Sequence, residues 1–410
     1  MTPDLAAALV SILLVPLAAV GLALMNCGLC RSRNAAHAMM ASVITLGVAA
    51  GAYFVCGFSW QGYAGLPVYV LHTGGKDWDW IAAQPFFLRK FPLEGSPASL
   101  AALLGIFSAG IAALIPLGGG VERWRLGAIC ASTALLAGFT YPLFAHWAQT
   151  GWLAQLGYVD AGGAGTIHAL GGLTALSIVW ILGPRRGKYN HDGMPQAMPG
   201  HQGVYVLVGC MFAWLGWIGL NSAGAILFAA AYAGTVVRVA VNTTLAAGAA
   251  SLAAALITRM RFGKPDFSLT ANGWTGGLVA ISAGCAAVPP AGALLIGLVA
   301  GAAVPLTIEQ FELRLSLDDP GGAISVHGIA GIWGILATGM FAGQWLPQVV
   351  GVATLLGFVL PVTYGLNAAL NRVVPLRAAA EGERHGLDLH ELGAGAYPEF
   401  MTHTEEFLPR

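Results

Sequence analysis

Long apolar runs alternate with short polar or Pro- and Gly-containing stretches along most of the chain. A run of about 20 apolar residues can cross the hydrocarbon core of a membrane as a helix. The pattern predicts eleven such spans, at residues 5–28, 36–59, 97–118, 124–147, 161–183, 201–223, 231–258, 270–288, 290–312, 325–343 and 347–373. We therefore predict an all-α polytopic membrane protein, with a transmembrane domain at 1–373 and a tail at 374–410.

Composition supports this interpretation. Apolar residues make up 57% of the 410 residues and charged residues only 9%, and the mean hydropathy is +0.71. These values lie well outside the range of soluble domains. A soluble fold of this length would have to bury more apolar surface than it can cover, so the lipid bilayer is the expected surrounding.

The positive charges give an orientation. Most Lys and Arg residues fall in loops after odd-numbered spans, among them Arg31, Arg123, Arg185 and Lys264. Cytoplasmic loops of membrane proteins are enriched in Lys and Arg. We therefore expect a multi-pass protein of the cell membrane, with its N-terminus outside and its tail cytoplasmic. The first segment lacks a basic start and is interpreted as a true span, with a cleaved leader as the alternative.

One motif occurs twice in the sequence. Asp160-AGGAGTIHALGG and Asp319-PGGAISVHGIAG share the pattern Asp-x-Gly-Gly-Ala-x-[Thr/Ser]-[Ile/Val]-His, which carries His168 and His327. The copies begin predicted spans 5 and 10, which are five spans apart. Because five is an odd number, the two copies enter the membrane from opposite faces, and the repeat is predicted to be inverted. The predicted fold is thus a five-plus-five repeat, with halves at about 1–183 and 201–343, and one additional C-terminal helix at 347–373.

The motif also predicts where the histidines lie. Asp160 and Asp319 stand at expected helix N-caps, and Pro320 at the N1 position. Each His follows its Asp by eight residues, which is about 12 Å along a helix. Entering from opposite faces of a core about 30 Å thick, both side chains reach the midplane, where inverted-repeat transporters commonly place their binding sites.

Two imidazoles at this depth favour a narrow conduit for a small neutral or weakly basic solute, because each ring can donate and accept hydrogen bonds. The alternative is that each His only joins helices by hydrogen bonding. No metal site is expected, since zinc needs three or four ligands and no third ligand lies at that depth. We predict no cofactor and no enzyme, because no nucleophile, base and oxyanion set stands out.

Both motif copies resemble the ammonium transporter/Rh (Amt/Mep/Rh) family, and further matches run in order along essentially the whole chain. The matching segments are PLAAVGLALMNCGLCRSRNA in span 1, DAGGAGTIH in span 5, LGPRRGKY after it, GWIGLN in span 6, Asn242-Thr243 in span 7, NGWTGGLVAISAGC in span 8, DDPGGAISVHGIAGIWGILATGMFA in span 10 and GERHGLDLHELGAGAY in the tail.

This resemblance implies a homotrimer of eleven-span subunits, each a channel for ammonium or ammonia with His168 and His327 lining the middle of its pore. It also implies that Asp160 supports an outer recruitment site and that Asp319 acts as a structural helix cap. For the tail it implies regulation, with a small cytoplasmic nitrogen-regulatory signalling protein as a possible partner. No nucleic-acid partner is expected.

The chain departs from the family pattern at the outer site, which in ammonium transporters uses Trp, Phe and Ser side chains above two stacked Phe rings. The Trp position, twenty residues before His168, holds Ala148. Trp217 is expected in the outer site, and after it the second gate Phe falls on Leu220 and the outer-site Ser on Ala225. Phe107 is expected to supply the first gate ring. Cation recruitment is therefore expected to be weak, as in Rh-type members.

Two other functions remain open at this point. The chain could be an ammonium sensor with a transporter-like body, or a Rh-like channel for another small neutral gas such as carbon dioxide. Arg238, a charge inside span 7, is expected to reach the outer headgroups, with a buried partner or a pore-access role as alternatives. Trp78 and Trp80 are expected to anchor at the membrane interface.

Overall fold

Helices dominate the structure, a computed structural model that describes residues 1–63, 66–343 and 345–400; residues 401–410 of the predicted tail lie outside this part. The helices are α1 Pro3–Leu29, α2 Ser32–Gln61, α3 Pro97–Gly120, α4 Leu126–Leu156, α5 Ala164–Leu182, α6 Gly203–Phe228, α7 Thr235–Phe262, α8 Phe267–Ser282, α9 Pro290–Leu315, α10 Ile324–Ala342, α11 Trp345–Val373 and α12 Ala380–His385, with short turns at Phe86–Leu88, Asp388–Leu392 and Pro398–Phe400.

Ten helices in the described part of the chain are long and apolar enough to cross a membrane. The structure thus confirms a multi-pass helical protein. The eighth predicted span, residues 270–288, overlaps α8, which has 16 residues and is about 24 Å long at about 1.5 Å per residue. This is shorter than a core of about 30 Å, so the number eleven stays a prediction.

Local sequence signals explain where two of the helices, α3 and α8, begin. The Ser96 hydroxyl accepts a hydrogen bond from the amide of Ser99, and Pro97 occupies the first turn of α3. The Asp266 carboxylate accepts from Leu269 N at 2.8 Å at the start of α8. Both are side-chain caps of the kind that satisfy the free amides of a first helical turn.

An antiparallel hairpin of β1 Leu66–Thr73 and β2 Lys76–Ala83 lies between α2 and α3, where no strand was predicted. A two-residue Gly74-Gly75 turn joins the strands, and both glycines have positive φ. Alternating apolar residues around a Gly-Gly pair were the available signal. We call this side of the molecule the hairpin face.

The tryptophans of β2 pack on α4. Trp80 stacks on Trp152 with ring centroids 4.9 Å apart and planes at 19°, while Trp78 lies 6.0 Å from Trp152. Trp147 donates its indole N–H to the Trp80 carbonyl at 2.8 Å. These residues therefore fasten the hairpin to α4, a role that the predicted interfacial anchoring did not include.

The opposite side, which carries the tail, is called the tail face, and it is held by buried charges. Arg123 is fully buried and donates to the carbonyls of Gly183 at 2.8 Å and Asp318 at 2.7 Å. Arg185 pairs with Asp318 and with Glu122, each at 2.9 Å. Burial by itself would raise the pKa of Asp318, but hydrogen bonds and charge from Arg185 outweigh it and lower that pKa to about 2.

The tail docks on its own chain at this face. The Asp388 carboxylate accepts from His37 N at 2.7 Å, and Glu391 lies 2.9 Å from His37 Nε2. The Tyr397 hydroxyl lies 2.9 Å from His201 Nε2. Within one chain, the tail therefore contacts the start of α2 and the segment before α6.

Candidate functional site

The segments before α5 and α10 are irregular, and each forms a hydrogen bond with a helix from the other half of the chain. Gly162 N donates to Ser282 O at 2.8 Å, at the end of α8. Gly321 N donates to Gly118 O at 3.0 Å, near the end of α3. The two motif copies therefore occupy matched places in the fold.

The helices begin later than the sequence suggested. Left-handed glycines, Gly163 at φ +84° and Gly322 at φ +69°, precede α5 and α10, a conformation that suits residues without a Cβ. Pro320 therefore lies in a turn rather than at a helical N1 position, and the eight residues from Asp to His are not one straight helical run. The predicted 12 Å helical path is wrong for this reason.

Both aspartates nevertheless cap the helices from these turns. Asp160 accepts from Gly165 N at 3.1 Å and Thr166 N at 2.8 Å. Asp319 accepts from Ala323 N at 3.0 Å and Ile324 N at 2.7 Å. Each carboxylate thus satisfies amides that a helix start leaves free.

Each histidine lies in a π-helical turn, His168 in Ala164–Ala169 and His327 in Ile324–Ile329. The two ring centroids are 5.4 Å apart with planes at 31°. Their relative exposures are 0% and 4%. Both ring nitrogens of His168 and Nδ1 of His327 lack a hydrogen-bond partner among the described residues. Short π-helical turns are rare and often occur at functional sites.

Trp217 lies against this pair and not in the predicted outer site. Its ring stacks on His168 with centroids 4.9 Å apart and planes at 11°, and it lies 6.5 Å from the His327 ring. The Trp217 side chain is fully buried. The indole therefore forms one wall beside the imidazoles.

The spacing of the two histidines depends on a close crossing of α5 and α10. A Cβ added to Gly172 would lie 2.6 Å from Gly328 Cα and 2.8 Å from the carbonyl carbon of His327. Such distances are sterically forbidden, so the two backbones touch where any side chain would separate them. Close contact through small residues is typical of membrane helices.

A cavity of about 640 Å³ opens at the hairpin face. Its wall includes the predicted outer-site residues Ala148 and Asp160, together with Arg238. Ala225, predicted for the same site, is 1% exposed and is not part of this wall. The remaining wall residues are Gln149, Ala154, Tyr158, Val159, Phe228, Ala229, Ala230, Ala231, Tyr232, Thr235, Ala286 and Ala287.

A space of only about 10 Å³, room for about one water molecule, lies beneath that cavity and shares its residues Gln149 and Phe228. Leu220 lines this constriction, as its predicted gate role requires. Phe107 does not line it; the next residue, Ser108, does. Adjacent helical residues point about 100° apart. An error of one residue in the register of α3 therefore exchanges Phe107 for Ser108.

A third cavity, of about 340 Å³, opens at the tail face and includes Asp319 and Ser325. Ser325 precedes His327 by two residues, as Thr166, which lines the constriction, precedes His168. The paired histidines therefore lie between a cavity on each face. The repeated [Thr/Ser]-x-His spacing was the signal for these hydroxyl residues, which sequence reasoning did not single out.

Metal-ligand geometry is not found in the described ranges, where no group of three His, Cys, Asp or Glu side chains could hold an ion. Asn242 donates to the carbonyls of Cys285 at 2.9 Å and Val288 at 2.8 Å, in the segment between α8 and α9. Asn221 donates to the Thr243 hydroxyl at 3.0 Å. These motif residues join helices around the site.

Comparison with known proteins gives a consistent result. The profile of the Ammonium Transporter Family matches residues 6–397. The chain is 34% identical to "Ammonium transporter Amt2" of Archaeoglobus fulgidus over 440 aligned positions, covering 99% of this chain and 90% of that protein. It is 32% identical to "Ammonium transporter Amt2" of Haloferax mediterranei, covering 93% of this chain and 86% of that protein.

Solved structures share the fold. A protein described as "Sensor Amt Protein" superposes with a TM-score of 0.86 at 27% identity, covering 95% of this chain and 98% of that one. Saccharomyces cerevisiae Mep2 superposes with a TM-score of 0.77 at 26% identity, covering 92% of this chain and 89% of that one. The likeness thus extends over nearly all of the chain.

Proposed function

Because the chain belongs to the ammonium transporter family, we propose that it carries ammonia, drawn from ammonium, through a pore lined by His168 and His327. The observation that carries this proposal is the histidine pair itself. It is buried between two cavities, and both ring nitrogens of His168 and Nδ1 of His327 have no partner among the described residues. Ammonia can both donate and accept hydrogen bonds, as a neutral imidazole can.

The proposed path runs from the hairpin face to the tail face. The hairpin-face cavity is the outer mouth, in agreement with the positive loops that favour a cytoplasmic tail face. Below it, Leu220 and Ser108 form the constriction, where an apolar side chain can close a pore by excluding water. We assign Ser108, rather than Phe107, to the gate, because only Ser108 lines that space.

Ammonium loses its proton before the constriction in this proposal, because the constriction favours the neutral solute. The constriction is lined mainly by apolar residues and has room for about one water molecule, so a cation would lose most of its hydration there. Trp217 shields one side of the histidines. The solute then passes the two imidazoles and reaches the tail-face cavity near Ser325.

Recruitment at the outer mouth is proposed to be weak. Ala148 and Ala225 stand where a Trp and a Ser are expected, so the mouth lacks the cage Trp and the Ser of the family pattern. Cation–π attraction, worth about 0.5–2 kcal/mol, is reduced accordingly. Asp160 supports the mouth through the amides that it caps.

The same proposal extends to the architecture. We propose eleven spans in an inverted five-plus-five repeat with one additional helix, and a channel domain at 1–373 followed by a regulatory tail. Support comes from the matched placement of the two motif segments, each bonded to a helix of the other half. A homotrimer and a cytoplasmic nitrogen-regulatory partner at the tail are further parts of this proposal.

The test is flux in liposomes. Purified wild-type protein and the variants His168→Ala and His327→Ala would be reconstituted with an internal pH-sensitive dye and mixed rapidly with ammonium chloride. Each variant removes a buried hydrogen-bonding group worth about 1–3 kcal/mol to a polar solute, so we expect about a tenfold lower initial rate.

His72→Ala is the matched control, since His72 lies on the hairpin with its side chain 74% exposed. It should conduct as wild type does. Equal flux in all four proteins would remove the histidine pair from the mechanism. No flux above protein-free liposomes in wild type would reject transport altogether.

A sensor is the second candidate, favoured by the likeness to the "Sensor Amt Protein" over 98% of that chain. The docked tail offers a route for a signal, because Asp388 and Glu391 contact the start of α2. A sensor would bind ammonium without conducting it. Ammonium-dependent protection of the tail from proteolysis, in protein with no measurable flux, would favour this function over transport.

A further inference from the structure

Arg238 stands in the wall of the hairpin-face cavity, although its place within an apolar helix suggested a partner in the headgroups. The side chain is exposed. Its Nη1 lies 3.5 Å from the Ala286 carbonyl, at the outer limit for a hydrogen bond. It forms no ion pair within residues 1–63, 66–343 and 345–400. The guanidinium charge is therefore available to the space that it borders.

Few other charges face that space. Its wall holds one acid, Asp160, and two tyrosines, Tyr158 and Tyr232, besides Arg238. Both carboxylate oxygens of Asp160 are engaged with the amides of α5, whose positive end further offsets the acid. The electrostatic force on a mobile ion in the cavity therefore comes mainly from the charge of Arg238.

This charge has the wrong sign for collecting ammonium. Two unit positive charges about 8–10 Å apart repel by about 0.4–1 kcal/mol at an effective dielectric constant of about 40–80. Ala148, where the family pattern has a Trp, supplies no aromatic face to the wall, and Ala225 does not reach it. The charge of Arg238 thus disfavours the cation and leaves the neutral amine unaffected.

We propose that Arg238 is a specificity-determining residue, which lowers the concentration of ammonium in the outer cavity and so raises the total ammonium that half-maximal flux requires. This inference rests on the proposed transport function, in which ammonia is drawn from ammonium at this mouth.

The test compares apparent KM and maximal flux for total ammonium at pH 7 in liposomes at about 0.01 M ionic strength, where the Debye length is about 30 Å. Arg238→Gln should lower KM about two- to fivefold and leave maximal flux within about twofold. Arg238→Glu should lower KM further. Arg238→Lys, which keeps the charge, should behave as wild type.

Arg259→Gln is the matched control, because Arg259 lies at the other end of α7, is exposed, and changes net charge equally. Its KM should equal that of wild type. At about 1 M salt, where the Debye length is about 3 Å, the effect of Arg238→Gln should disappear.

An unchanged KM in both Arg238→Gln and Arg238→Glu, with wild-type flux intact, would overturn the role of Arg238 and leave the transport function standing. A fall in maximal flux at constant KM would equally overturn it, by assigning Arg238 a structural role. Failure of wild type to conduct would instead reject the transport function.

Discussion

The two faces of the molecule use charge in opposite ways. At the tail face, Arg123, Arg185, Glu122 and Asp318 are each no more than 5% exposed, and they form one connected network. At the hairpin face, Arg238 stands unpaired within the described chain and borders a cavity. The first arrangement fixes loops in place, while the second leaves a charge free to act on passing solutes.

The difference follows from solvation. A buried charge is stable only when a partner and hydrogen bonds replace the water that it has lost. Arg185 meets this condition through two acids, so the tail face is bound to one geometry. A charge at a water-filled mouth has no such need, and it acts on ions at a distance.

The largest effect is expected from breaking the buried network. Asp318→Ala leaves Arg185 without its bidentate partner, and loss of one member of a buried ion pair costs about 3–5 kcal/mol. We expect a clear fall in the thermal unfolding temperature of the protein in detergent. Asp192→Ala, in an exposed loop, is the control and should unfold as wild type does. Equal stability of both variants would mean that the network does not hold this face.

The pH dependence of the same residue has a defined sign. Because the pKa of Asp318 is lowered from 3.8 to about 2 in the folded protein, its contribution to stability is complete above about pH 4 and is lost as the pH falls toward 2. The difference in unfolding temperature between wild type and Asp318→Ala should therefore be constant from pH 7 to about 4 and shrink below. A difference that already shrinks near pH 6 would contradict this assignment.

A smaller effect is expected from giving the outer mouth an aromatic face. Ala148→Trp places an indole in the wall of a cavity that has room for it. Cation–π attraction of about 0.5–2 kcal/mol should lower the apparent KM for ammonium about two- to thirtyfold. Uptake at varied ammonium concentration measures this, and adding Arg238→Gln should lower the KM further. A higher KM with normal maximal flux would show that recruitment does not occur at this wall.

The smallest effect is expected at the exposed ion pair of the hairpin. His72 and Asp77 are 2.6 Å apart, but their side chains are 74% and 73% exposed. Surface pairs contribute little because water competes for both partners. His72→Ala should shift the unfolding temperature far less than Asp318→Ala, measured in the same detergent. A comparable shift would erase the contrast between the two faces.

Hydrophobic pattern predicted the helices well, because a run of about 20 apolar residues has few alternatives in a membrane. The duplicated motif likewise predicted that His168 and His327 come together, and the structure brings them within 5.4 Å. The hairpin was missed, although Gly74-Gly75 between alternating residues was a usable signal. Its strands stand outside the apolar runs on which the prediction depended.

Details of the site depended on rotation about helix axes, which the apolar pattern does not determine. Phe107 and Ser108 are adjacent in the sequence, so the choice between them depends on the rotation of α3. Trp217 lies three residues before Leu220, on the same side of α6 but nearly one turn away. It therefore lies at the histidines and not at the mouth. The position of Arg238 in a cavity wall could be seen only in the folded structure, because that cavity is built from three stretches of the chain, at 148–160, 228–238 and 286–287.

The crossing of Gly172 and Gly328 has a consequence for how this pore can evolve. The gap between the imidazoles is set by the backbone, at the point where α5 and α10 touch. Exchanging side chains around the rings therefore leaves the gap the same. A single methyl at Gly172 would wedge the helices apart and alter the gap at once. Selection for a solute of another size would therefore act first on Gly172, while the histidines themselves could stay unchanged.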